Sequence, residues 1–165
     1  MRQLTIVFSF VCALTGALVA QPAQPSAVLP DSPDLYFAFV RLHDSLMRYT
    51  ESQSVKDANA ATRLASHIGS QYGVNAAEAA ALNAIVRETA DSLKQWENRV
   101  KIYVDQQQAN RKPLDGKAIQ DLYTERQQIV NAAMVKLQKS LSGGSWAGLR
   151  QYINQTLRPG VKGVH

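Results

Sequence analysis

The sequence predicts an all-α domain, a helical bundle built on a long antiparallel helix hairpin at about 75–108 and 115–141. Apolar residues recur every three or four positions along most of the chain, as they do on the buried face of a helix. Glycine and proline are nearly absent from the interiors of these segments, and no alternating apolar–polar run indicates a strand. We therefore expect two shorter N-terminal helices, the hairpin and one C-terminal helix in a domain spanning residues 32–158.

The first helix is expected to begin with Ser32 as its N-cap and Pro33 in its first turn, where the missing N–H of proline is not needed. Its core face is predicted from a stripe with spacings of four and three residues: Leu35, Phe39, Leu42, Leu46 and Tyr49. A second stripe flanks the first: Tyr36, Val40, His43 and Met47. The second helix is expected to open at Asp57 and to end at Gly73, because glycine commonly follows a helix C-terminus.

The two hairpin helices have clear N-terminal signals. Asn75 is expected to cap the first of them while Glu78 reaches back to the backbone, as in a capping box. Asp115 is expected to cap the second. Eight positions from 82 to 107 follow heptad spacing, and six of them are apolar, so this stripe is predicted to face the partner helix.

The register of the hairpin follows from a turn near residue 112. Folding the chain there makes the two apolar stripes face each other and places Glu97 opposite Arg126. An arginine within an apolar stripe either extends its charge to solvent or forms an ion pair. We therefore predict a structural ion pair between Glu97 and Arg126.

The last helix is expected to be capped by Ser145, after a pair of glycines, with Trp146 and Leu149 on its apolar face. Pro159 and Gly160 are expected to end it. Residues 159–165 are then predicted to form a flexible basic tail.

The N-terminus predicts export. Arg2 precedes 17 residues without charge at 4–20, which are followed by a Pro- and Gln-rich segment at 21–31. This order is typical of a secretory signal peptide cleaved near Ala20, with 21–31 as a linker. The mature protein would be periplasmic or extracellular and would lack Cys12, the single cysteine of the chain. The alternative is an uncleaved membrane anchor, since 17 residues are at the lower limit of a membrane-spanning helix.

The sequence does not indicate an enzyme or a cofactor. It contains no His-Glu-x-x-His, Gly-x-Ser-x-Gly or phosphate-binding glycine-rich motif. The carboxylates Glu88, Asp91 and Asp105 are predicted to point away from the apolar stripe, so they do not form the paired acids of a hydrolytic site. We expect a non-enzymatic protein without a cofactor.

One pair of residues suggests a metal site. His43 and Met47 are four positions apart, and this spacing places both side chains on one face of a helix. Imidazole and thioether groups are ligands for a soft metal such as copper. The alternative interpretation, a histidine at the edge of a helix beside a core methionine, is the one we favour.

The chain has 18 Lys and Arg against 13 Asp and Glu, and their distribution is uneven. Residues 21–93 hold five basic and eight acidic side chains, a net charge of −3, whereas residues 94–165 hold twelve and five, a net charge of +7. The basic residues are spread around the helices with few exposed aromatics between them, and a nucleic-acid partner is not expected. Membrane contact is expected only through an uncleaved signal segment or weakly through the basic half.

Residues 75–157 resemble the small periplasmic helical proteins of the Spy/CpxP group, which are also built on a long helical hairpin. Where that group has Leu-Thr-x-x-Gln at helix starts, this chain has Val74-Asn75-Ala76-Ala77-Glu78 and Leu141-Ser142-Gly143-Gly144-Ser145-Trp146. The chain also looks like exported helical bacterial proteins with no assigned activity. The resemblance implies a protein-binding, chaperone-like or envelope-stress module, with a homodimer as one arrangement. The alternative function is a periplasmic metal-binding or metal-sensing protein that uses His43 and Met47.

Overall fold

A computed structural model of the chain describes residues 32–157, so the predicted signal peptide and linker and the basic tail at 159–165 lie outside the described residues. The described part is helical and contains no strand, which confirms the all-α prediction. Its helices are α1 (Pro33–Ser54), α2 (Ala60–Tyr72), α3 (Ala76–Ala109), α4 (Gly116–Ser140) and α5 (Gly143–Tyr152), and α5 continues into a π-helical turn (Ile153–Leu157). None of these helices is long and apolar enough to cross a membrane.

The antiparallel hairpin of α3 and α4 is confirmed, and its helices extend over almost the predicted ranges. Salt bridges cross it at two levels, Arg99 with Glu125 near the turn and Lys136 with Glu88 nearer the base. Both pairs fit the register predicted from a turn near residue 112. The facing stripes are buried at the base of the hairpin through Leu82, Val86, Thr89 and Leu93 of α3 and Val130, Ala133 and Leu137 of α4.

Helix α1 packs against α2, α3, α4 and the π-helical turn, and its buried face differs from the predicted one. The core face predicted for the second half of α1 was wrong, because Leu42 and Tyr49 are 38% and 64% exposed. The buried residues are Leu35, Tyr36, Phe39, Val40, His43 and Met47. The reason is that α2 and α3 both pack on the side of α1 that carries His43, which buries the flanking stripe.

Two predicted helix starts were wrong because a polar side chain has another partner. Helix α2 begins at Ala60, since the Asp57 carboxylate accepts a hydrogen bond from the Asn59 N–H (2.8 Å) and closes a turn before the helix. Helix α5 begins at Gly143, and its N-cap is Ser142, not Ser145. The predicted cap Ser145 is buried in the first turns of α5.

The predicted capping box of α3 is half formed. The Asn75 side chain accepts from the N–H of Glu78 (3.1 Å), as predicted. The Glu78 carboxylate, however, accepts from the N–H of Ser142 (2.9 Å) at the start of α5. Hydrogen bonds from Ser145 and Ser142 lower the pKa of Glu78. Glu78 therefore stabilises the N-terminus of another helix, and it links α3 to α5.

The predicted contact between Glu97 and Arg126 is replaced by two salt bridges to α1. Arg126 pairs with Asp34 (2.7 Å) and Glu97 pairs with Arg41. The reason is that α1 packs against both helices of the hairpin and offers each charge a partner. The Arg126 guanidinium also lies over three aromatic rings, those of Phe37 (5.0 Å), Trp96 (6.0 Å) and Tyr123 (4.6 Å).

Candidate binding cleft

A cleft with a volume of about 560 Å³ lies between α1, α2 and α3. Its apolar floor includes Met47 and Ile68, which are almost fully buried. The lining residues are Met47, Thr50 and Glu51 of α1, Ala61, Leu64, Ala65 and Ile68 of α2, and Ala79, Ala80, Asn83, Ala84 and Arg87 of α3. Small-molecule and side-chain pockets commonly have volumes between about 300 and 1,000 Å³.

The cleft exists because the facing sides of α2 and α3 carry alanine. Ala61 and Ala65 lie one helical turn apart on α2, and Ala80 and Ala84 lie one turn apart on α3. Their methyl groups are too short to fill the space between the helices. The result is an apolar recess that a larger side chain can enter.

The edge of the cleft is ionic. Glu51 of α1 and Arg87 of α3 form a salt bridge there, and both side chains are half-exposed. The Thr50 hydroxyl, which also lines the cleft, donates to the carbonyl of Leu46 (2.8 Å). The negative charge at this edge therefore lies on α1 and the positive charge on α3.

Beneath the cleft, His43 connects three helices. It is completely buried, with Nε2 2.7 Å from Oδ1 of Asn83 on α3 and Nδ1 3.2 Å from the hydroxyl of Tyr72 on α2. An amide oxygen only accepts, so Nε2 carries the hydrogen, and in the neutral imidazole Nδ1 then accepts from the Tyr72 hydroxyl. Asn83 also lines the cleft, and its position is therefore set by His43.

The surroundings of His43 favour its neutral form. Burial lowers the pKa of His43, and nearby His67 acts in the same direction, while the hydrogen bond to Asn83 and the charge of Asp44 oppose the shift. Burial also raises the pKa of the Tyr72 phenol. The imidazole is stacked on the Phe39 ring at 5.7 Å between centroids, so it has an apolar neighbour as well as its two polar ones.

The structure places the two residues of the metal-site prediction on one helix face, but the imidazole nitrogens are bound to other residues. His43 and Met47 are both buried on the same face of α1, as the spacing predicted. Both imidazole nitrogens already have hydrogen-bond partners, and a metal ion would have to displace one of them. Within residues 32–157, no group of three or more His, Cys, Asp or Glu side chains has the proximity of a metal site.

A second hollow of about 270 Å³ lies on the other side of Leu64, between α1 and α2. Leu64 and Thr50 line both hollows. Its other lining residues are Leu46, Tyr49, Gln53, Ala60, Arg63 and His67. The two hollows are therefore adjacent, with Leu64 and Thr50 between them.

The turn end of the hairpin has exposed apolar side chains as well, but it has a different shape. Ile102, Leu114, Ile119 and Tyr123 are between 39% and 56% exposed. A hollow of about 310 Å³ lies there between the two helices, lined by Tyr103, Ala118, Asp121, Leu122 and Glu125. Two helices form this hollow, whereas three enclose the main cleft.

The cleft residues were missed from the sequence because alanines and an asparagine carry no chemical motif. A signal was present, since alanines recur four positions apart in both α2 and α3. Alanine is also the strongest helix former, so this spacing does not by itself distinguish a recess from an exposed helical face.

Comparison with known proteins gave no match to a family model, to a curated protein or to a solved structure. The resemblance to the Spy/CpxP group therefore stays a prediction.

Proposed function

We propose that this is a non-enzymatic binding protein that takes apolar side chains of other polypeptides into the cleft between α1, α2 and α3. The observation that carries the proposal is the cleft itself, an apolar recess of about 560 Å³ with a salt bridge at its edge. An apolar floor inside a polar rim is the usual composition of a side-chain binding pocket.

The second hollow supports a polypeptide as the partner. It adjoins the main cleft across Leu64, so two apolar side chains from one segment can occupy the two hollows together. A helix presents such side chains at spacings of three or four residues. Binding of this kind suits the chaperone-like or envelope-stress role that the resemblance implies.

Export is part of the same proposal and rests on the composition of residues 1–31. Expression of the full chain in a bacterium, followed by fractionation and intact-mass measurement, tests it. We expect an exported protein that begins near Gln21 and has lost Cys12. A protein that stays in the cytoplasm with residues 1–20 attached would contradict this part of the proposal.

The binding role is tested by filling the cleft. Ala84 is exposed and lines the cleft, so Ala84→Trp places an indole in it without disturbing the core. The matched control is Ala132→Trp at an exposed position of α4. We expect the wild type and Ala132→Trp to delay aggregation of a chemically unfolded client, measured by light scattering, and Ala84→Trp to lose this activity. Equal activity of all three, or none in the wild type, would overturn the proposal.

A further inference from the structure

The two walls of the cleft differ in hydrogen-bonding character. On α3, Asn83 and Arg87 lie one turn apart. Since Oδ1 of Asn83 accepts from His43, its amide N–H₂ group remains for a ligand, and Arg87 lines the same cleft one turn further along α3. On α1, the Glu51 carboxylate is an acceptor and carries a negative charge. One wall therefore donates and is positive, and the other accepts and is negative.

We propose that the cleft also binds a free apolar α-amino acid with a large side chain, such as L-phenylalanine. Its side chain enters the recess between Ala65 and Ala84. Its carboxylate meets Arg87 and Asn83, and its ammonium group meets Glu51. This inference uses the cleft of the proposed function, but it needs no protein partner and extends that function to a small ligand.

The salt bridge between Glu51 and Arg87 does not prevent such binding. Both side chains are at least half-exposed, and an exposed pair contributes little to stability. A guanidinium has five N–H donors, and one of them is used by Glu51. The remaining donors can bind a carboxylate in the bidentate geometry that arginine favours.

The size of the recess favours a bulky side chain. Its volume of about 560 Å³ lies within the range of small-ligand pockets. Its walls carry methyl groups from alanines, while Met47 and Ile68 supply an apolar floor. An aromatic side chain gains most from such a site because it buries the largest apolar area.

Calorimetric titration of the purified protein with L-phenylalanine and two analogues tests the charge requirement. 3-Phenylpropanoate lacks the ammonium group, and 2-phenylethylamine lacks the carboxylate. We expect L-phenylalanine to bind, and each analogue to bind about tenfold more weakly, since each loses a hydrogen-bonded charge. No heat with L-phenylalanine at millimolar concentration, or equal affinity for the three compounds, would overturn the inference.

Variants of the edge residues test the assignment of each charge. We expect Arg87→Gln and Glu51→Gln each to weaken L-phenylalanine binding about tenfold, and Ala84→Trp to abolish it. The matched control is Arg99→Gln, because Arg99 forms a similarly exposed salt bridge with Glu125 away from the cleft. Unchanged binding in Arg87→Gln and Glu51→Gln would contradict the inference. If the client assay still responds to Ala84→Trp while L-phenylalanine fails to bind, this inference alone fails and the proposed function stands.

Discussion

At the scale of single residues, two side chains hold helices together by contacts that sequence patterns did not reveal. His43 joins α1 to Tyr72 of α2 and Asn83 of α3. Arg126 joins the hairpin to α1 through Asp34. The sequence placed His43 on the flanking stripe of α1 and Arg126 on the stripe of α4. Their partners were hidden because they lie on other helices, between 29 and 92 positions away.

The buried neutral imidazole predicts a pH dependence of stability. Because burial lowers the pKa of His43 in the folded state, the unfolded chain binds more protons at pH values just below the ordinary value of about 6.5. The contribution of neutral His43 to the free energy of unfolding is therefore complete above this pH. It decreases as the pH is lowered through this value, by at most about 1.4 kcal/mol per pH unit. Urea denaturation between pH 7.5 and 5.5 measures the slope.

In His43→Gln this slope is expected to disappear. In His67→Gln, the control, most of it is expected to remain, because burial, the largest cause of the lowered His43 pKa, is unchanged. A stability that rises as the pH falls through this window would contradict the placement of a neutral His43 in the core.

Arg126 predicts a difference between arginine and lysine. Its side chain is 19% exposed, and its planar guanidinium pairs with Asp34 while lying over three aromatic rings. Lysine keeps the charge but loses the planar contact, so Arg126→Lys is expected to lower the free energy of unfolding by about 1 kcal/mol. The control Arg99→Lys changes a side chain that is 47% exposed, and its effect should stay below about 0.5 kcal/mol. Urea denaturation measures the free energy of unfolding of both variants. Equal decreases would show that the aromatic contacts of Arg126 do not stabilise the fold.

At the scale of elements, helix existence and most boundaries followed from the sequence, but two starts did not. The caps Asn75 and Asp115 were predicted correctly because their side chains bond to the helix that follows directly. The start of α5 was missed because two consecutive glycines, Gly143 and Gly144, indicate the end of a helix. In the structure, Ser142 and the distant Glu78 supply hydrogen-bond acceptors to the N-terminus of α5. Local patterns cannot show a cap that comes from another helix.

The junction of α2 and α5 predicts a requirement for glycine at one position. A Cβ atom on Gly148 would lie 2.9 Å from the backbone oxygen of Tyr72 and 3.1 Å from the Cα of Gly73. Gly73 has a positive φ of 66° and ends α2, so it cannot easily move aside. We expect Gly148→Ala to lower the free energy of unfolding by about 1–3 kcal/mol.

Gly144→Ala is the matched control for this substitution. It lies in the same helix, and a Cβ atom there meets nothing within 4 Å. Alanine favours helix more than glycine does, so Gly144→Ala should be neutral or stabilising by up to about 1 kcal/mol. Thermal denaturation of the two variants compares them directly, and similar melting temperatures would mean that α2 and α5 are not in close contact.

At the scale of the whole molecule, charges of opposite sign meet between α1 and the hairpin. The salt bridges join Arg41 to Glu97, Arg48 to Asp91 (3.8 Å), and Glu51 to Arg87. Their order shows that α1 and α3 run antiparallel. The net charges of −3 for residues 21–93 and +7 for residues 94–165 did not indicate which residues would pair, and two of these three pairs lie within residues 21–93. The cleft could not be predicted either, because three helices form it together and no pattern within one of them indicates it.

The central claim, that an apolar group binds in the cleft between α1, α2 and α3, is tested most directly by mapping amide chemical shifts. ¹H–¹⁵N spectra of the labelled protein are recorded while an apolar peptide is added. We predict perturbations concentrated at residues 47–51, 61–68 and 79–87, and their loss in Ala84→Trp. Perturbations centred on the hairpin end at 102–123, or none at all, would contradict the claim.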